Sequence, residues 1–201
     1  MALPMQEEEP AYNYADYLNW DDGKRWELID GVAHMMSPAP TQAHQEVSGG
    51  LYRQFADFLD GKPCKVFHAP FDVRLNANDG DDTVVQPDLL VVCDKSKLDG
   101  KSCVGAPDLV VEILSPSTAR HDRLTKFLKY QEAGVREYWI VDPDTKTVQL
   151  HILDEGGYMN PKSGIYSDED VVSSHVLEGF SADMKKIFSA RADEPTRMPT
   201  S

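Results

Sequence analysis

The chain has little cysteine, and none of it is closely paired. Cys64, Cys93 and Cys103 are odd in number and include no Cys-x-x-Cys, so neither a zinc site nor a disulfide framework is indicated and reduced thiols are expected. No apolar run approaches the length of a membrane span, which leaves no expected membrane contact. The opening MALPMQEEEPAYNY lacks both the basic region and the apolar core of a signal peptide, so a cytoplasmic location is expected. Positive charge is also scarce. Against 34 Asp and Glu stand 20 Lys and Arg, a net charge of −14, and that balance opposes non-specific attraction to a polyanion.

What is present is a core. With 201 residues and 41% hydrophobic composition, the chain can bury the interior of one domain. That domain is expected over residues 12–188, with flexible tails at 1–11 and 190–201. Strand and helix patterns alternate without an internal repeat, beyond a Pro-Asp-Leu shared by two central segments. The class this implies is mixed α/β, with a single mixed sheet flanked by helices and additional β-hairpins.

The two central segments are VVQPDLLVV (84–92) and APDLVVEIL (106–114), too apolar for surface strands. Glu112 interrupts the second. A carboxylate there costs several kcal/mol to desolvate, so it should be paired, hydrogen-bonded, protonated or metal-bound, unless the strand has one polar face. Asp88 starts the first segment, and the polar loop 94–105 can return the chain antiparallel, which brings the two acids together. Pro87 suits a strand start. Asp108 shares a strand face with Glu112 but lies about 13 Å from it at about 3.3 Å per residue. It is read as a strand-start or capping residue.

Elsewhere, Tyr12–Trp20 fits a short helix, and RWELIDGVAHMM (25–36) fits a hairpin turning on Asp30-Gly31. On that alternation Glu27 has the character of an exposed strand residue. Thr41 can cap a helix with core positions Val47, Leu51, Phe55, Phe58 and Leu59, ended by Gly61, and Gly49-Gly50 within it suggests close packing. His44 lies near its start, as a ligand, a phosphate contact or, more simply, a capping or surface residue. The Asn- and Asp-rich turn 76–82 lacks the closing glutamate of a calcium loop. Ser115–Thr118 can cap a helix running to about Ala133, with Leu124, Phe127, Leu128 and Gln131 as its core stripe. Arg120, Arg123, Lys126, Lys129 and Arg136 follow Glu112 closely and form either a basic patch or a solvated face.

Two carboxylates on neighbouring strands and a lysine are the parts of Mg²⁺-assisted phosphodiester hydrolysis. Asp88 and Glu112 would be the anionic ligands, with the main-chain carbonyl of Ile113 as a third. Several motifs together resemble the Uma-type restriction endonucleases of the PD-(D/E)xK nuclease superfamily. They are Gln86-Pro87-Asp88, Val111-Glu112-Ile113-Leu114-Ser115-Pro116-Ser117, the helix with Asp122, Lys126 and Tyr130, and Gly134 through Asp142. Glu27-Leu28-Ile29-Asp30-Gly31, Met36-Ser37-Pro38, His44-Gln45 and Phe71 through Leu75 belong to the same likeness, which spans about residues 12–188.

The resemblance implies a restriction-endonuclease-like core, Mg²⁺ or Mn²⁺ as cofactor, and DNA as substrate. The superfamily pattern places a lysine two residues after the second acid, where this chain has Leu114. The resemblance therefore assigns that role to Lys126 on the following helix, and the leading hypothesis adds Glu27 as an accessory acid that completes or orients the metal shell. Read from the residues alone, Lys126 also fits a surface pair with Asp122 worth about 0.3–0.5 kcal/mol. A restriction-type enzyme cutting two strands implies a homodimer, for which Tyr138, Trp139 and the late hairpins are candidate surface. The competing reading is a nuclease-fold module that binds nucleic acid or protein without efficient cleavage, which the net charge favours. A purely structural metal protein has only the carboxylates behind it.

Overall fold

Strands that are apolar on both faces have to lie inside a layered fold. The computed structural model of the chain describes residues 11–36, 39–115, 122–159 and 164–189. In chain order its elements are α1 (Tyr14–Tyr17), β1 (Trp26–Ile29), β2 (Val32–Met35), α2 (Gln42–Leu59), β3 (Lys65–His68), β4 (Asp72–Arg74), β5 (Val84–Val85), β6 (Leu89–Val92), β7 (Ser102–Val104) and β8 (Leu109–Ile113). A π-helical turn, Asp122–Lys126, then leads into α3 (Phe127–Ala133). There follow β9 (Glu137–Asp142), β10 (Thr147–Asp154), β11 (Gly157–Met159), β12 (Ile165–Tyr166), β13 (Val171–Ser173), β14 (Ser181–Asp183) and α4 (Met184–Phe188).

Every residue of β6 and β8 is buried, and the two strands are adjacent and antiparallel, with Leu89 opposite Val111 and Val91 opposite Leu109. They are central to a seven-stranded sheet of order β11-β10-β9-β8-β6-β3, in which β12 also pairs with β10 and β9 runs parallel to β8. The expectation of one sheet needs correcting. A second, five-stranded sheet has the order β2-β1-β5-β4-β7, and the run 84–92 is divided between the two. The break falls at Gln86-Pro87-Asp88, where Pro87 has no N–H to give to a ladder.

The larger sheet is the middle layer. On one face α2 lays Val47, Leu51, Phe55 and Leu59 against Val91, Leu109, Val111 and Trp139. Its start is capped by Thr41, whose Oγ1 accepts the His44 N–H at 3.2 Å. Gly50 meets the backbone of Ile187 in α4, where an added Cβ would lie 3.6 Å from Ile187 Cα, whereas Gly49 faces open space. On the other face Leu90, Val92, Val110, Tyr138 and Ile140 pack against Ile29, Val73 and Val85 of the smaller sheet and against Tyr130. Tyr138 and Trp139 are thus fully buried in the two cores, which removes them as a dimer surface. They read as surface only because aromatics mark interfaces and interiors alike.

Two local expectations hold and one does not. The Asp30-Gly31 turn closes β1 on β2, both residues in the left-handed region at φ 50° and 75°. Asp108 is a cap, its Oδ2 accepting the Cys93 N–H at 2.7 Å while Oδ1 meets Arg136 Nη1 at 3.1 Å. The cysteines, however, are not all free. Cys64 and Cys93, flanking the paired ends of β3 and β6, form a disulfide, and Cys103 is a buried thiol. A separation of 29 residues hid the pairing, which the strand register creates. Of the remaining expectations, those for the tails at 1–10 and 190–201, for Ser37-Pro38 and for a helix cap at 116–118 lie outside the described residues.

Glu137, fully buried at the start of β9, anchors the segment between β13 and β14. Its Oε1 accepts Trp139 Nε1–H at 2.6 Å, and its Oε2 accepts the Ser174 hydroxyl and the backbone N–H groups of His175 and Val176 at 2.8–2.9 Å. A buried donor left unpaired costs about 1–3 kcal/mol. Glu137→Ala should therefore lower stability by about 3 kcal/mol or more, read as a fall in the urea midpoint at unchanged slope. Thiol titration of the unreduced, denatured chain should find one reactive group, Cys103. In the native chain it should react slowly, since burial pushes this thiol up to about 12.

Candidate active site

The site lies at the break in the 84–92 run, where the two sheets meet. Asp88 precedes β6 and is level with Glu112 on β8, one rung beyond the Leu89–Val111 pair. Both line a cavity of about 300 Å³, together with Arg25, His44, Gln45, Ser48, His68, Gln86, Ile113, Ser115 and Lys126. Asp88 is bonded through Oδ2, which accepts the Ile113 N–H at 2.8 Å and lies 3.2 Å from His44 Nε2.

Glu112 is buried as its strand demands, at 3% exposure, and is paired rather than bare. Its Oε1 accepts Lys126 Nζ at 3.0 Å and the Tyr130 hydroxyl at 2.7 Å. The same ammonium lies 2.8 Å from Glu27 Oε1. Lys126 is therefore a buried cation between two buried carboxylates, and the surface-pair alternative does not describe it. The side chain of Asp122 lies outside the described residues. Glu27 is likewise not an exposed strand residue. The face of β1 that carries it turns to the junction, where Glu27 Oε1 also accepts the Gln86 N–H at 3.0 Å.

The helix after Glu112 turns the other way from its hydrophobic pattern. Leu124 and Leu128 are 56% and 52% exposed, while Lys126 and Tyr130 point inward and Phe127 and Gln131 are only half-buried. The π-helical turn Asp122–Lys126 shifts the phase entering α3. The inward face is polar because its partner, Glu112, is polar. Burial and the Glu112 charge push the Tyr130 hydroxyl well above its ordinary range, so it stays a donor to the carboxylate.

The basic patch expected around Lys126 is not a free one. Besides Lys126, Lys129 pairs with Asp30 at 2.9 Å and Glu132 at 2.8 Å, and Arg136 pairs with Asp108 at 3.1 Å. The side chains of Arg120 and Arg123 lie outside the described residues. Besides Lys126, the cavity is lined by the Arg25 guanidinium and by the imidazoles of His44 and His68.

Sequence reasoning missed Gln86 as a functional position. Its Oε1 accepts Arg25 Nε and Nη2 at 3.2 and 2.6 Å, while its Nε2 donates to Tyr17 and Asp72 at 3.0 and 2.8 Å. The signal was its place beside Pro87-Asp88. His44, expected more simply as a capping or surface residue, lies in the cavity against Asp88.

Carboxylate and carbonyl oxygens are the donors a hard divalent cation takes. Asp88 and Glu112 supply two such groups, and the Asp88 Oδ1 has no hydrogen bond among the described residues. Those residues contain no group of three or more His, Cys, Asp or Glu that could hold a metal by themselves. The donor set fits Mg²⁺ or Mn²⁺, which need only one or two carboxylates and complete the shell with water and substrate oxygen.

Residues 14–185 match the family model Uma2, whose description is "Putative restriction endonuclease". A curated relative is uncharacterized protein slr1290 of Synechocystis sp., 29% identical over 154 residues, covering 75% of this chain and 79% of the relative. Among solved structures, one described as a putative nuclease belonging to DUF820 from Anabaena variabilis superposes with a TM-score of 0.67 at 18% identity. It covers 89% of this chain and 98% of that one. That likeness shows the mixed α/β fold. No helix among the described residues is long and apolar enough to cross a membrane.

Removing one partner from a buried ion pair costs about 3–5 kcal/mol, because the carboxylate left behind loses its cation. Lys126→Met should therefore destabilise by about that amount in urea unfolding. A loss within about 0.5 kcal/mol, the range of a surface pair, would mean that Lys126 is not between Glu27 and Glu112 in solution.

Proposed function

The chain belongs to the Uma2 family, described as putative restriction endonucleases, and on that footing we propose that its cavity hydrolyses phosphodiester bonds of DNA with a divalent cation. The observation that carries this is the convergence of Asp88, Glu112 and Lys126, from three separate segments, at one cavity, with Glu27 from a fourth segment paired to the same Lys126 ammonium. Asp88, Glu112 and the carbonyl of Ile113 would hold Mg²⁺ or Mn²⁺. When bound, such an ion acidifies water and offsets charge on the phosphate.

The chain's own groups do the rest. The Lys126 ammonium has three donors, and Glu27 and Glu112 hold it at the cavity wall, where it orients the attacking water and meets the charge that develops on the phosphoryl oxygens. Glu27 positions Lys126 and so acts as the accessory acid. Arg25, fixed by Gln86, offers its guanidinium at the rim to a phosphate. Two copies cutting opposite strands would form a homodimer through a surface other than Tyr138 and Trp139.

A second reading has one observation in its favour. The net charge of −14, with Lys126, Lys129 and Arg136 already paired, suits a module that keeps the fold and binds without cutting. Plasmid DNA with Mg²⁺ or Mn²⁺ separates the two. Cleavage by the wild type should fall by about 100-fold or more in Asp88→Ala, the range for loss of one catalytic group. Because the ion binds the folded site alone, it should raise the melting temperature, and by less in Asp88→Asn. Equal shifts in both proteins, with no cleavage by either, would leave the non-catalytic reading.

A further inference from the structure

Asp88 is the least constrained of the site's carboxylates by its own strand, since it precedes β6 rather than lying within it. Glu112 is held in the middle of β8, whereas Asp88 follows a proline and is partly open to the cavity, its side chain 20% exposed. A carboxylate that has to present one oxygen to a cation or a water needs its other oxygen fixed. Two groups converge on Oδ2, the Ile113 N–H at 2.8 Å and His44 Nε2 at 3.2 Å, which donates in the tautomer that carries its proton there. The second is at the long end of the N–H···O range. Oδ1 is left to the cavity.

The geometry points to His44 as a positioning residue of this site: it donates Nε2–H to Asp88 Oδ2 and, with Ile113, turns Oδ1 toward the reacting groups. The inference rests on reading Asp88 as a cation-holding carboxylate. It needs no charged imidazole, because the neutral ring protonated at Nε2 already has the donor. What makes the arm rigid is α2. His44 is in its first turn, with its own N–H on the Thr41 cap, and three turns of apolar side chains beyond it are set into the core. The helix behind the sheet thereby fixes the aim of a carboxylate just before the start of β6, which the strand alone does not.

The assignment separates from a purely structural role by conservative rescue. A glutamine places an amide N–H near the position of the imidazole Nε2, and an alanine places nothing there. His44→Ala should weaken binding of Mn²⁺ alone, measured by calorimetry, by about 10–100-fold, as for loss of a group that orients a metal ligand. It should lower kcat for plasmid cleavage by a similar factor and leave KM within about twofold, the mark of a positioning rather than a binding defect. His44→Gln should recover most of both, and the metal-free melting temperatures of the variants should stay close together.

Equal Mn²⁺ affinity in wild type and His44→Ala, or equal loss in His44→Ala and His44→Gln, would overturn the assignment. Nitrogen-15 spectra of the wild-type imidazole test the bond independently of cleavage. A ring protonated at Nε2, with that preference lost in Asp88→Ala, supports the bond, and a ring protonated at Nδ1 in the wild type overturns it. A wild type with the Nε2–H bond that neither binds Mn²⁺ nor cuts DNA would sink the nuclease reading while keeping the His44–Asp88 contact.

Discussion

A buried ammonium governs the site. Lys126 Nζ lies within 3.0 Å of carboxylates on two different sheets, Glu27 on β1 and Glu112 on β8, and none of the three is tolerable alone where it is. Each ion loses several kcal/mol of hydration on burial, and only close mutual contact offsets that loss. The triad therefore requires the smaller sheet, the larger sheet and the π-helical turn to be in register at one point. Tyr130 tightens the constraint, its hydroxyl held as a donor to the same Glu112 oxygen by burial and by the charge beside it.

This constraint explains why the chain after Glu112 has an inverted face. An amphipathic helix normally buries its leucines, yet Leu124 and Leu128 are in solvent while a lysine and a tyrosine go inside. The energy of exposing two leucines is a few kcal/mol at about 25 cal/mol per Å², and leaving two buried carboxylates without a cation costs at least as much. The polar match therefore decides the orientation, and the π-helical turn supplies the change of phase.

The same arrangement bears on how an acidic chain could meet a polyanion. Three of the basic residues that cluster in sequence near the site are paired with the chain's own carboxylates, Lys126 with the buried Glu27 and Glu112, Lys129 with the exposed Asp30 and Glu132, and Arg136 with Asp108. Arg25 is differently placed. Its guanidinium is held by the neutral Gln86 amide at the cavity rim, so the contact that fixes it does not offset its charge. Local charge at one opening, rather than the net charge, is what a phosphate approaching this cavity meets.

The sequence by itself determined the features that depend on neighbours along the chain. The period of apolar residues marked α2, β6, β8 and β9, the Asp-Gly pair marked the β1–β2 turn, and an acid inside an apolar strand marked Glu112. The acid at the start of the preceding strand marked Asp88, because one polar loop could bring it back alongside. Family motifs added Glu27 and Lys126, whose local patterns point to the surface. Only the tertiary structure decided which way those two face, that His44 reaches Asp88, that Gln86 joins Arg25 to Glu27, that Cys64 meets Cys93, and that one apolar run serves two sheets. The physical reason is common to all of these. Each depends on a contact between residues distant in sequence, and such a contact leaves no periodicity for local hydrophobicity to reveal. For Lys126, electrostatic pairing even outweighs the local apolar pattern.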